Sequence, residues 1–267
     1  MTWLLRGPRN GVLTSRYPAR PDPYQQNFPA AVTVADTGRH PDADQIADVC
    51  PTGAIQAAPG GRLFLDRGRC ILCGACVRAR PELFRWQPGA DTATLARGAL
   101  VVPEATETDE ALGALRADLA ARVRRLRRSV HIRHVDAGSD GSDEWEVNAL
   151  FNPVYDVGRL GIFLTASPRH ADILLVTGAG ARGMREPLVR TLEAMPRPLV
   201  VIAAGTDAIS GGLVAGSYAT HPGVGDLLPV DVWAPGNPPS PFTLLHAILL
   251  ALGRLPSPSP SRTGAHR

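Results

Sequence analysis

The spacing of apolar residues divides this chain into stretches of different character. Residues 1–30 follow neither a helical nor a strand period. Arginine and proline interrupt them, and they are predicted to run as an extended arm laid on a surface. Between 31 and 103 the apolar runs are short. Strand-like pieces at 31–34 and 63–66 sit among glycine and proline turns. From 106 to 128 the pattern turns helical: Leu112, Leu115, Leu119, Val123 and Leu126 recur three or four apart as one stripe. Thr106 and Thr108 are candidate N-caps, with Glu107, Asp109 and Glu110 near the first turn. Arg122, Arg124, Arg125, Arg127 and Arg128 crowd the other end, where the helix dipole favours cations. They read as a solvated helix end, or else as a docking face for an acidic partner or anionic lipid.

From 129 onward strand-like and helix-like segments alternate. Strands are predicted at 129–135, 173–177, 199–204 and 230–233, and helices at 186–194 and 241–252. Short, nearly continuous apolar strands in that order argue a parallel sheet covered on both faces, with any site in the loops at the strands' carboxyl ends. Alternating proline and serine from 255 mark a disordered tail. The expected organisation is an arm (1–30), a small α+β unit (31–103), a linker helix (104–128), an α/β domain (129–254) and a tail (255–267).

Composition narrows the function. An apolar share of 44% suffices for a core, and a net charge of +3 in 267 residues gives no footprint for nucleic acid. No run of eighteen apolar residues exists, so no transmembrane helix is expected, and the arginines near the start argue against a signal peptide. No nucleophile–base pair or paired acid and base stands out, and no catalytic residue is assigned.

The cysteines change the picture most. Cys70, Cys73 and Cys76 stand at two-residue intervals, and the only other cysteine, Cys50, is followed by Pro51. Three such thiolates plus a distant Cys-Pro form the ligand set of one [4Fe-4S] cluster. A small unit with little core would draw cohesion from it. A structural zinc site is the competing reading, although zinc sites more often use two separated pairs.

Bacterial two-cluster ferredoxins carry the run C-x2-C-x2-C-x3-C-P twice, each fourth cysteine serving the other cluster. Against that template one cluster would use positions 50, 70, 73 and 76, all cysteine here. The other would use 40, 43, 46 and 80, which hold His40, Ala43, Ile46 and Arg80. One ligand set is intact and the other wholly replaced. With Gly11-Val-Leu-Thr-Ser-Arg-Tyr-Pro18 and Arg69-Cys70-Ile71-Leu72-Cys73-Gly74, the N-terminal third resembles the ferredoxin-like subunit of formate hydrogenlyase and complex I.

A second resemblance covers residues 129–254. His134-Val-Asp-Ala-Gly138, Asn152-Pro-Val-Tyr-Asp156, Ala166-Ser-Pro-Arg-His-Ala-Asp172, Met184-Arg-Glu-Pro187 and Ala208-Ile-Ser-Gly-Gly212 are similar to the small electron-transfer subunit of group 4 [NiFe] hydrogenases and the 20 kDa subunit of complex I. That resemblance implies a flavodoxin-like α/β fold and one [4Fe-4S] cluster on four cysteines from three loops. Transferred by position, those cysteines fall on Asp140, Asp143, Asp207 and Asn237. The expectation is an empty site; the alternative occupant is a divalent cation such as Mg²⁺ or Ca²⁺ near Asp140, Asp143 and Asp207. The glycine-rich pieces 177–182 and 211–216 match no phosphate loop and read as places where backbones approach closely. Arg169 and His170 fall in a loop that the resemblance places near a partner subunit.

Together the resemblances imply an electron-transfer subunit, with one cluster, of a membrane-associated hydrogenase-like or NADH:quinone oxidoreductase-like complex. Its partners would be a large [NiFe]-hydrogenase-like or complex I-like subunit and membrane subunits, with the chain peripheral on the cytoplasmic face. A structural or assembly subunit with a non-relaying cluster is the alternative.

Overall fold

The computed structural model describes residues 3–255 apart from 21, 23, 25, 26, 104–107, 125, 127 and 128. Thr106, Glu107, Arg125, Arg127, Arg128 and the predicted tail from 256 on lie outside the described residues.

The arm is helical at its start, α1 (Trp3–Asn10), contrary to the irregular course read from sequence. It then crosses the C-terminal half. Ser15 donates its backbone N–H to the Val154 carbonyl at 2.7 Å, and Tyr17 Oη pairs with His246 Nδ1 at 2.7 Å. These contacts to distant segments, and not local periodicity, fix its path.

The small N-terminal part follows: β1 (Pro29–Val34), α2 (Ala43–Ala47), β2 (Ile55–Ala58), β3 (Arg62–Asp66), α3 (Ala75–Ala79), β4 (Phe84–Pro88) and β5 (Val101–Val102). Its strands form two small antiparallel sheets, β1-β4 and β2-β3-β5. Val32, Ile46, Ile55, Leu63, Leu65, Leu83 and Phe84 make its core, and Cys70 and Cys76 are buried within the same cluster of side chains.

The helix α4 (Asp109–Val123) is capped by Thr108, whose side chain accepts the Ala111 N–H at 3.2 Å. Of the predicted stripe only Leu119 and Val123 are buried, while Leu115 is exposed, so the helix packs by its C-terminal half.

The remainder is one parallel sheet with helices: β6 (Val130–Asp136), α5 (Ser142–Ala149), β7 (Ile162–Leu164), β8 (Ile173–Thr177), α6 (Arg185–Ala194), β9 (Val200–Ala204), α7 (Thr206–Ser210), β10 (Val232–Ala234) and α8 (Pro241–Ala251). The strand order is β10-β9-β8-β6-β7, with every pairing parallel. Counted from β6, this is the order 2-1-3-4-5 of the flavodoxin-like fold, and its direction reverses between β6 and β8. All five residues of β8 and of β9 are buried, as expected for central strands covered on both faces. Alternate side chains feed two cores: Ile173, Leu175, Val200 and Ile202 pack on one side with α8, and Leu174, Val176, Val201 and Ala203 on the other with Leu188. The helix α8 is apolar around most of its surface because it is enclosed, with Thr243 and His246 its only polar side chains. Ser240 caps it, accepting from Thr243 N–H, and Pro241 occupies its first turn.

The two parts are joined through shared packing. Thr94 and Trp233 exchange backbone hydrogen bonds of 2.9 and 2.8 Å, Leu100 enters a core of the parallel sheet, and Tyr17 meets Phe242 edge to face at 6.0 Å. Among the described residues no helix is long and apolar enough to cross a membrane.

Candidate functional site

The four cysteines come to one cleft. Cys50, Cys70, Cys73 and Cys76 line it together with Val32, Ile55, Leu65 and Ile71. None is in a disulfide; Cys70 and Cys76 are buried, and Cys73 is exposed. The loop carrying three of them is held in a conformation an L-residue rarely adopts: Leu72 has φ +55°. Gly74 follows at φ +69°, and a Cβ there would come within 2.7 Å of the Trp86 ring. Glycine is therefore required for the turn into α3, which carries Cys76.

Donors point at the sulfurs. Ala54 N–H donates to Cys50 Sγ at 3.2 Å; Thr52 Oγ1 lies 3.5 Å from the same sulfur and gives its proton to the Arg69 carbonyl at 2.6 Å. Burial pushes the Cys50 thiol up, but the Thr52 side chain and bonds from the backbone of Thr52, Ile55 and Ala54 outweigh it and hold the thiol below its ordinary value. Burial, against a bond from Leu72, pushes the Cys70 thiol up to about 12, with repulsion from the other three cysteines adding to it. Burial likewise raises Cys76. Half-buried Arg67 gives its guanidinium bonds to neutral oxygens, Val32 O at 3.4 Å and Gln87 Oε1 at 2.5 Å.

The second ligand set of the ferredoxin template is filled by ordinary packing. Ala43 and Ile46 are core residues, and Arg80 forms ion pairs with Asp42 at 2.8 Å and Glu82 at 2.5 Å. His40 Nε2 is buried without a hydrogen bond, 3.8 Å from Asp36.

At the carboxyl ends of β6, β9 and β10 lie Asp140, Asp143, Asp207 and Asn237. Asp140 turns back on its own loop, accepting from Ser142 N–H at 2.9 Å and Ser142 Oγ at 2.6 Å. Asp143 is 3% exposed, and its carboxylate packs on Gly205, where a Cβ would lie 2.2 Å from Oδ2. Burial first, then the charges of Asp207, Glu144, Asp140 and Asp136, push Asp143 up to about 8. Burial, with Asp140 and Glu144, also raises Asp207. Among the described residues no three His, Cys, Asp or Glu side chains are gathered to hold a metal ion, neither these carboxylates nor the four cysteines. Asp140 is engaged by its own turn, and the buried carboxyls of Asp143 and Asp207, crowded by like charges, are both raised above their ordinary value.

Sequence reading missed the neighbouring network. Glu144 accepts from Ser139 Oγ at 2.6 Å and from Thr177 Oγ1, and Thr177 Oγ1 meets His134 Nε2 at 3.0 Å. Burial lowers the His134 pKa, although Glu144 and Asp136 oppose it. It also missed Thr206, whose hydroxyl donates to the Cys70 carbonyl at 3.0 Å. No local pattern announces a contact across 136 positions. The glycine loops do let backbones approach: a Cβ at Gly178 would meet Gly138 at 2.7 Å. Arg169 and His170 lie exposed in a short turn before β8.

Residues 141–251 match the family described as NADH ubiquinone oxidoreductase, 20 Kd subunit. The probable membrane-bound hydrogenase subunit mbhJ of Pyrococcus furiosus is 41% identical over 128 residues, covering 48% of this chain and 77% of that one. The chain belongs to this family. Another relative, formate hydrogenlyase subunit 7 of Escherichia coli (strain K12), is 38% identical over 159 residues, 60% of this chain and 61% of that one. An NADH-quinone oxidoreductase subunit of Carboxydothermus hydrogenoformans is 42% identical over 114 residues, 42% of this chain and 69% of that one. The family match contains Asp143, Asp207 and Asn237; all four cysteines precede it.

Proposed function

We propose that this chain is an electron-transfer subunit of a membrane-associated complex of the hydrogenase or NADH:quinone oxidoreductase type. In this reading Cys50, Cys70, Cys73 and Cys76 hold one [4Fe-4S] cluster in a ferredoxin-like domain over 31–103. A flavodoxin-like domain over 129–254 docks on a large hydrogenase-like or complex I-like subunit, at the cytoplasmic face of the membrane. The names of three relatives, a formate hydrogenlyase subunit, a membrane-bound hydrogenase subunit and a quinone oxidoreductase subunit, support the setting.

One observation carries the cofactor: the chain's only four cysteines, from segments twenty residues apart, line a single cleft with none oxidised to a disulfide. The donor set fits the group. Thiolates are the ligands such clusters use, and each bonds its own iron, so the sulfurs need not converge on one ion as for zinc. When bound, the cluster supplies a one-electron acceptor and donor. The chain's residues do the rest. Val32, Ile55 and Leu65 exclude water from one side. The N–H of Ala54 stabilises negative charge on Cys50 sulfur. Arg67, whose bonds among the described residues go to neutral oxygens, leaves its charge for the thiolates.

Anaerobic protein assayed for iron and acid-labile sulfide, with EPR before and after dithionite, tests this. About four of each with one reduced signal is expected. One zinc and no sulfide refutes it, and about eight irons would place a second cluster at the oxygen-lined loops.

A second reading is favoured by the loss of cysteine at 140, 143, 207 and 237: the cluster is structural, and the chain scaffolds its complex. Replacing Cys73 by serine separates the two. A complex that keeps its turnover without the cluster is scaffolded, and one that loses turnover while staying assembled is wired through it.

A further inference from the structure

The cysteine cleft is not confined to the N-terminal part, because the backbone of one ligand is held from the parallel sheet. We propose that Thr206 is a positioning residue for the cluster: its hydroxyl fixes the Cys70 backbone and raises the cluster's reduction potential. This rests on the reading of Cys50, Cys70, Cys73 and Cys76 as cluster ligands.

The geometry is specific. Thr206 is fully buried at the first position of α7, and its Oγ1 donates to the Cys70 carbonyl at 3.0 Å. Every other polar atom of that residue is also engaged. Its N–H donates to Gly236 O at 2.7 Å, and its carbonyl accepts from Ser210 Oγ at 3.0 Å. Thr206 is thus pinned through its backbone to the loop after β10 on one side and to its own helix on the other.

The approach of the two segments is close and prepared. A Cβ at Gly68 would lie 2.7 Å from Ile209 Cγ2, so the chain just before Cys70 lies against α7. Asp66 accepts from Gly68 N–H at 2.8 Å and from both terminal nitrogens of Arg97 at 2.8 and 2.6 Å, fixing the turn that leads into Cys70. The Cys70 carbonyl could not shift without breaking its bond to Thr206 or moving a helix of the other part.

The electrostatic consequence follows from where the hydroxyl points. Reduction adds an electron to a cluster whose surroundings include the Cys70 peptide. A carbonyl oxygen carries partial negative charge, which disfavours that electron, and a donated hydroxyl proton offsets it. Thr206 and Cys70 are both buried at the sheltered side of the cleft, so the two dipoles are only weakly screened there. Hydrogen bonding around ligands and solvent exclusion are the levers that set such potentials. Taking the hydroxyl away therefore lowers the potential. The ratio of reduced to oxidised cluster at a fixed potential should fall by about three- to tenfold, a tenfold change being about 59 mV for one electron.

The experiment uses the full chain purified without oxygen, with EPR-monitored redox titrations, iron and sulfide analysis, and thermal melts. Thr206→Val keeps the shape and removes the hydroxyl; Thr206→Ser keeps the hydroxyl and removes the methyl; Thr206→Ala serves where valine does not fold. The expected result is a full cluster at unchanged potential in the serine variant, and a lowered potential in the valine or alanine variant. Cluster loss in valine or alanine with an unchanged melt, while serine retains it, also supports the inference. A full cluster at the wild-type potential in the valine and alanine variants overturns it, as does equal loss of cluster and folding in all three. If the unaltered chain holds no iron and sulfide, it is the cluster assignment that has failed, and the two failures are told apart by that control.

Discussion

Replacing Asp143 by asparagine should make the protein more stable as the pH rises. Asp143 is 3% exposed at the carboxyl end of the sheet, and its carboxyl is pushed up to about 8 by burial and by Asp207, Glu144, Asp140 and Asp136. Its ordinary value is 3.8. A carboxyl whose folded pKa is raised stabilises the fold below the unfolded pKa. That stability is lost as pH rises through the window between the two values, because the unfolded chain ionises freely and the folded one does not. The slope is about 1.4 kcal/mol per pH unit for one proton, so from about pH 5 to about pH 7 this group removes roughly 3 kcal/mol. Half of that remains measurable by denaturant unfolding. The assay is unfolding in urea at several pH values from about 5 to 8, for the wild type and Asp143→Asn side by side. Taking the difference cancels the titrating groups remote from Asp143. The variant should gain on the wild type steadily with pH, by about 2–3 kcal/mol over two units. Parallel stability curves would refute the reasoning, because they would mean that Asp143 is ionised in the folded protein.

Other outcomes follow from the same geometry. Gly205→Ala would set a Cβ 2.2 Å from Asp143 Oδ2 at φ +94°, so a loss of about 2–4 kcal/mol is expected in thermal or urea melts; pairing it with Asp143→Ala should recover part of it. Asp66→Ala leaves Arg97 without its two charged bonds, and unfolding should show a cost of roughly 1.5–3 kcal/mol. EDTA, or added Mg²⁺ or Ca²⁺, should leave the melting temperature unchanged if the loops at 140, 143 and 207 are empty, as Asp140's engagement with its own turn favours; a clear rise with either ion would put a divalent cation there.

The parallel sheet was legible because its strands are buried on both faces. The apolar runs at 173–177 and 199–204 coincide with β8 and β9 to within a residue. What escaped had little periodic signal. The strand β7 has three residues, and α5 is mostly polar, with Trp145 exposed on it. The helix α1 fell in a stretch whose glycine and proline argue against helix, and Pro8 lies inside it. At the site, the spacing of the cysteines pointed to their gathering in one cleft, and in the fold Ala43, Ile46 and Arg80 are packing and ion-pair residues. The Arg80–Asp42 pair, the Thr206–Cys70 bond and the burial of Asp143 depend on contacts between segments 38 to 136 positions apart, which spacing cannot encode.

The cysteine cleft has a sheltered back and an open front. Cys70 lies at the back, clasped by α7. Cys73 lies at the front, next to Gly74 and the Trp86 ring, which is 40% exposed, and Arg78 donates to the Cys73 carbonyl at 3.0 Å. A thiolate open to solvent is the one that oxidants and chelators meet first. The order in which such a site comes apart is thus built into the fold: damage by air begins at Cys73, while Cys70 and Cys76 stay covered until the front has opened. A chain handled aerobically should carry its earliest sulfur oxidation at position 73; on the proposed reading, the same open face would be the shortest way in for a redox partner.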